Sequence, residues 1–218
     1  MKYTNLRIRA YLSTGVISDQ YLPLDAVLYY HLVRREMPEQ VITKSRESNV
    51  RAGANINVPI LKSGPKNELW FYACSFAQFP DVVAEDSSFK VKTGDWLRHE
   101  EHFDAKKKID IQRGKFKNAH LKLYYRHCPY IDWYCVGNAK EIAELLQFCT
   151  HIGKNSGDGW GQVLRWEIKD WPEDWSIRGY GNKLMRAVPL RQDGRGYSYG
   201  LRPSYWNPRH IAICKMPD

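Results

Sequence analysis

The chain has 218 residues, of which 43% are hydrophobic and 26% charged, so it is long enough to bury a full core without staples. Eight tryptophans, fourteen tyrosines and seven phenylalanines exclude disorder throughout, and no apolar run approaches the ~18 residues of a membrane-spanning helix. The net charge of +9 favours a polyanionic partner; residues 86–127 hold eleven Lys/Arg against six Asp/Glu, and residues 162–218 ten against six.

Residues 3–12 alternate Leu6, Ile8, Ala10 and Leu12 with Arg7, Arg9 and Tyr11, which predicts a strand with one apolar and one basic-aromatic face. The opening residues are therefore read as a strand rather than a leader. Pro23 opens a helix over about 24–37, which Pro38 stops. Its apolar stripe is Leu24, Val27, Leu28, His31 and Leu32. Residues 39–66 are polar and broken by glycine and proline, with one short strand expected near 57–61. Residues 68–75, apolar on both faces, predict a buried strand.

Residues 76–118 are dense in charge and predict an inserted arm or hairpin. They carry Lys106, Lys107 and Lys108, then Arg113, Lys115, Phe116 and Lys117. Cations fit phosphates and aromatic rings fit unstacked bases, so this arm is a candidate RNA contact. Residues 119–127 alternate again and are expected as a third strand of the central sheet, adding Lys122, Tyr124 and Arg126 to the face of Arg7, Arg9 and Tyr11. A short strand follows over 132–136. Asn138 with Glu141 three residues on is a capping box opening a helix to about His151.

The run Gly153, Lys154, Asn155, Ser156, Gly157, Asp158, Gly159, Trp160, Gly161 comes next. Its glycines allow positive φ and close backbone approach by a ligand. It joins helix to strand and lacks Gly-Lys-Ser/Thr before a helix. It is thus neither a nucleotide-triphosphate loop nor a dinucleotide fingerprint. A strand over 162–169 follows, and residues 170–218, rich in proline and glycine, predict short strands wrapping the core. Five cysteines without a CxxC pair read as reduced core thiols, which fits the cytoplasm, and no metal or cofactor is implied.

The order βαβ, insertion, βαβ predicts an α+β, ferredoxin-like (βαββαβ) fold in one domain over 1–218. Two helices would cover one face of a four-stranded antiparallel sheet.

These elements, with the loop from Ile152 to Val163, resemble the RAMP superfamily of CRISPR proteins. More narrowly, Pro23-Leu24-Asp25, Gly114 to Lys117, Arg186 to Leu190 and Pro203 to Trp206 resemble the type IV Cas-five-like subunit. The resemblance implies a non-catalytic subunit of a type IV effector ribonucleoprotein. Such a subunit holds the 5′ repeat-derived handle of the crRNA. Its arm, about 76–118, is a thumb against the neighbouring backbone subunit, and a large-type subunit is a further partner. Contact with target DNA stays open. The implied RNA-binding residues are Gly153 to Gly157, Gly159, Trp160 and Gly161, joined by Arg7, Arg9 and the basic arm residues named above. Family loops often carry two basic residues after the first glycine, whereas here only Lys154 is basic. Some relatives cleave repeats, so a metal-independent crRNA-processing endoribonuclease is the alternative, with His31, His120 and Tyr124 as its candidates.

Overall fold

The computed structural model describes residues 2–36, 56–64, 69–92, 112, 118–190 and 195–218. Lys106, Lys107, Lys108, Arg113, Lys115, Phe116 and Lys117 lie outside these residues.

The described residues are α+β, with two helices and several small antiparallel sheets among them. Its centre is β1 (Thr4–Leu12), flanked by β6 (Tyr130–Gly137) on one side and β7 (Val163–Asp170) on the other. Both pairings are antiparallel, with Ile8 opposite Trp133 and Ile168. Beyond β6 runs the segment containing β3 (Phe71–Tyr72), held by bridges from Cys74 to Cys135 and from Gln78 to Asp132. The spatial order β7, β1, β6, residues 71–78 is compatible with a ferredoxin-like arrangement. On the outer side of that segment, β2 (Lys62–Ser63) pairs with β3.

The alternation in β1 decides which face is covered. Leu6, Ile8, Ala10 and Leu12 are buried under α1 (Leu24–Glu36) and α2 (Ala139–Leu146). From α1 come Leu24, Leu28 and Leu32, and from α2 Ile142, Leu145 and Leu146. Trp133, fully buried between them, donates its indole N–H to the Leu22 carbonyl at 3.0 Å. Asn138 caps the helix as expected, accepting from the backbone of Lys140 and Glu141, but the reciprocal bond of a capping box is replaced: its side-chain amide donates to the Glu141 carboxylate at 2.7 Å and its backbone N–H to the Pro59 carbonyl at 3.0 Å. The helix is shorter than the expected 138–151, ending near Gln147. All five cysteines are buried free thiols.

The strand over 119–127 forms, but not where the alternation placed it. β5 (Ala119–His127) pairs over its full length with β4 (Ala84–Lys92), as a ribbon separate from the central sheet. Lys122, Tyr124 and Arg126 therefore do not extend the face of Arg7, Arg9 and Tyr11. A period of two identifies a strand, not its partner, and β4 reads as polar in sequence. The arm's boundaries shift accordingly. Phe76 and Ala77 are buried in the core, so the arm begins near Val83 and takes in β5.

After β7 the chain builds a small sheet in the order β8 (Val188–Pro189), β10 (Ile211–Lys215), β9 (Tyr197–Gly200). It closes a second core of Phe71, Phe76, Ala187, Leu201 and Cys214. A fully buried Arg186 ties this sheet to the rest. Its guanidinium donates to the carbonyls of Tyr72, Cys74 (3.0 Å) and Leu201 (2.9 Å) and lies over the Phe71 ring. Nearby, Tyr205 donates to the buried Asp25 carboxyl at 2.5 Å. Burial pushes the Asp25 carboxyl up, and Arg186 and the Tyr205 hydroxyl oppose that shift. The segments around Asp25, Arg186 and Tyr205, far apart in sequence, thus meet in one interior network.

Candidate nucleic-acid interface

The glycine-rich loop is built where three segments are laced together by backbone hydrogen bonds. Gly161 donates to the Gly15 carbonyl (2.8 Å) and Lys154 to that of Ile17 (2.6 Å). The same 13–18 segment exchanges two bonds, Val16 with Arg126, at the foot of the β4–β5 ribbon. Thr14 adds a hydroxyl bond to the Gly159 carbonyl (2.9 Å) and accepts from the Gln162 N–H (3.0 Å). The loop is thereby fixed against both β1 and the arm.

Its glycines divide into two kinds. Gly153 and Gly161 have positive φ, and an added Cβ would meet the Ile17 carbonyl oxygen at 2.4 Å and that of Ile152 at 1.8 Å. These two hold the loop's ends. Gly157 and Gly159 have nothing within 4 Å of an added Cβ, so the middle of the loop faces open space. A short 3-10 turn over Ser156–Asp158 shapes that middle, with Asn155 in the left-handed region before it.

Trp160 packs on Tyr125 of β5 at 4.7 Å between centroids, and Lys90 of β4 pairs with Asp158 at 2.5 Å. Lys154 pairs with Asp19 at 2.7 Å. Both ion pairs are about half exposed or more, and such pairs are worth roughly 0–1 kcal/mol. A phosphate can take either lysine at little cost. The negative charge of Asp158, conspicuous in the sequence, is answered by Lys90 on the arm, a partner 68 positions away.

Arg7 and Arg9 stand differently. They lie on the sheet face opposite the helices, each neutralised by a carboxylate. Arg7 meets Glu167 at 2.6 Å, and Arg9 grips both Asp132 oxygens at 2.7 Å while covering the Tyr130 ring at 3.6 Å. The hydrogen bond to Asp132 raises the Arg9 pKa. Arg165 covers Tyr11 at 3.6 Å on the same face. The structure therefore gathers the loop residues from Gly153 to Gly161 against the arm and leaves Arg7 and Arg9 on a separate surface.

The outer face of the ribbon is open: Tyr124 is 67% and Phe89 55% exposed, and Phe89 stacks on His120 at 4.8 Å. Two hollows meet at Ser18. One of about 340 Å³ is lined by Ser18, Glu85, Asp86, Tyr124, Tyr125 and Arg126. The other, about 350 Å³, lies between α1 and the loop and brings Tyr30, His31, His151, Lys154 and Ser156 together. Of these two hollows, His31 lines the second and Tyr124 the first, and His120 lines neither. Sequence reasoning missed His151, which sits two residues before the first loop glycine, where chain adjacency to the loop was the available signal. Among the described residues no cluster of three or more His, Cys, Asp or Glu is placed to hold a metal, and no helix is long and apolar enough to cross a membrane.

Comparison with protein families matches residues 4–217 to the family described as CRISPR type IV associated protein Csf3. No curated protein matches the chain.

Proposed function

Because the chain belongs to the Csf3 family of CRISPR type IV associated proteins, we propose that it is a non-catalytic RNA-binding subunit of a type IV effector ribonucleoprotein. It holds the 5′ repeat-derived handle of the crRNA in the cytoplasm. The central sheet and two helices form a ferredoxin-like RAMP domain. The β4–β5 arm is its thumb, turned toward a backbone subunit, and a large-type subunit is a further neighbour.

The observation that carries this reading is the glycine-rich loop. It is rigid at its ends, open at Gly157 and Gly159, and joined to the foot of the arm through Trp160 and Lys90. An RNA lying across Gly157 and Gly159 finds close backbone approach, a lysine at either side, and the exposed rings of the ribbon beyond. Phosphate contacts of this kind position a strand, and ring stacking accommodates unpaired bases. His31 and Tyr124 line different hollows, which supports the non-catalytic reading; the nuclease alternative would instead rest on His31 with His151, which share a hollow, since acid-base cleavage needs its groups around one scissile phosphate. Replacing His31, His120, Tyr124 and His151 with alanine leaves crRNA maturation unchanged on this reading, and lost maturation would favour the nuclease.

Binding has a salt signature. If about four phosphates are neutralised, log affinity for single-stranded handle RNA falls against log salt with a slope near −3. Lys154→Ala shallows that slope by about 0.7 and weakens all handle sequences alike, because it acts on phosphate. A slope near zero in a filter-binding titration would contradict handle binding by charge.

A further inference from the structure

We propose that the cleft between α1 and the glycine-rich loop holds one unstacked base of the bound RNA, so that the subunit reads a nucleotide as well as gripping phosphates. This rests on the RNA-binding reading given above. The cleft of about 350 Å³ lies at the small end of the ~300–1,000 Å³ range for ligand sites. Its two sides differ. Leu22, Ala26, Val27 and Ile152 make an apolar floor, and Tyr30 stands edge-on to His31 at 5.2 Å. The opposite rim carries Lys154 and Ser156 from the loop, with His151 beside them. A flat apolar body with one polar edge and a phosphate attached fits both sides, and inorganic phosphate fits only the rim.

Two further features favour a base. His31 is half-buried, and burial followed by the nearby Arg34 lowers its pKa, which favours the neutral ring. A neutral imidazole offers one donor and one acceptor, which suits a base edge rather than a phosphate. The Ser18 hydroxyl, from a residue that lines both this cleft and the neighbouring hollow, is buried without an internal hydrogen-bond partner. Buried polar atoms are ordinarily paired, and a ligand's polar edge supplies what this hydroxyl lacks.

The test uses the full-length chain and synthetic 5′-handle RNAs with one abasic nucleotide at each position in turn. The expected result is a single position where the abasic RNA binds about tenfold more weakly. Val27→Trp, which fills the floor, lowers affinity for the intact RNA by the same factor and erases the abasic penalty. Ser18→Ala weakens the intact RNA without lowering the melting temperature, because no internal hydrogen bond is lost; it decides the matter if Val27→Trp does not fold. Tight binding of intact RNA with no abasic position costing more than twofold would overturn the proposal and leave handle binding standing. A penalty that survives both variants would do the same. Failure of the intact RNA to bind above a scrambled control would overturn the RNA-binding reading and this proposal together.

Discussion

Arg186→Met lowers the unfolding free energy by about 3–5 kcal/mol, the usual consequence of removing one partner from a buried charged network. For a chain of this size that shifts the melting temperature down by roughly 6–20 °C. The methionine keeps much of the volume, so the loss falls on hydrogen bonding. The carbonyls of Tyr72, Cys74 and Leu201 each lose a charged donor inside the protein. The Asp25 carboxyl also loses the positive charge that opposes its raised pKa. Asp25→Asn alone costs less, because an amide oxygen still accepts from Tyr205. Thermal melts of the two variants check the ranking. The folded fraction of Arg186→Met keeps full RNA affinity at low temperature, since Arg186 is fully buried and offers no atom to a ligand. A melting temperature within about 2 °C of the parent would contradict the assignment of Arg186 as the tie between the two cores.

The loop glycines give the second large effect, and it splits by position. Gly161→Ala puts a methyl group 1.8 Å from the Ile152 carbonyl oxygen at a φ of +69°, so both sterics and backbone oppose it. The expected cost is about 2–5 kcal/mol, from overpacking together with a left-handed backbone. An added Cβ at Gly157 meets nothing within 4 Å and the position carries no positive φ, so Gly157→Val changes stability by less than about 0.5 kcal/mol. Its RNA affinity nonetheless falls at least tenfold, because the added side chain stands where the sugar-phosphate chain approaches. Circular-dichroism melts paired with filter binding separate the two outcomes. Unchanged affinity in Gly157→Val would remove the middle of the loop from the interface.

Local patterns in the sequence were sufficient for the elements that obey local rules. The alternation of β1 predicts both its extent and its buried face, and Asn138 with Glu141 marks the start of α2. Free, buried cysteines follow from their odd number and lack of pairing motifs. What the sequence hid is non-local. Arg7 and Arg9 read as free cations because Glu167 and Asp132 lie more than 120 positions away. The alternation of β5 is real, but its partner is the polar β4 rather than β1. The short strands β8, β9 and β10 have two to five residues, too few for a periodic signal.

The site was legible in part for the same reason. Glycine spacing marks the loop, but which glycines hold the fold and which face a ligand depends on carbonyls from elsewhere in the chain. The pairing of Asp158 with Lys90, a residue of the arm, is likewise invisible in the sequence. The motifs around Asp25, Arg186 and Tyr205 converge on an interior network, so they report on how the C-terminal sheet is anchored rather than on RNA.

The most direct test of the account is to express the tagged chain with its genomic neighbours, purify the assembly, and sequence the RNA that comes with it. The account predicts small RNAs of uniform length sharing one 5′ repeat-derived end with variable interiors. Heterogeneous RNA without a common 5′ end, or no RNA, would contradict handle binding.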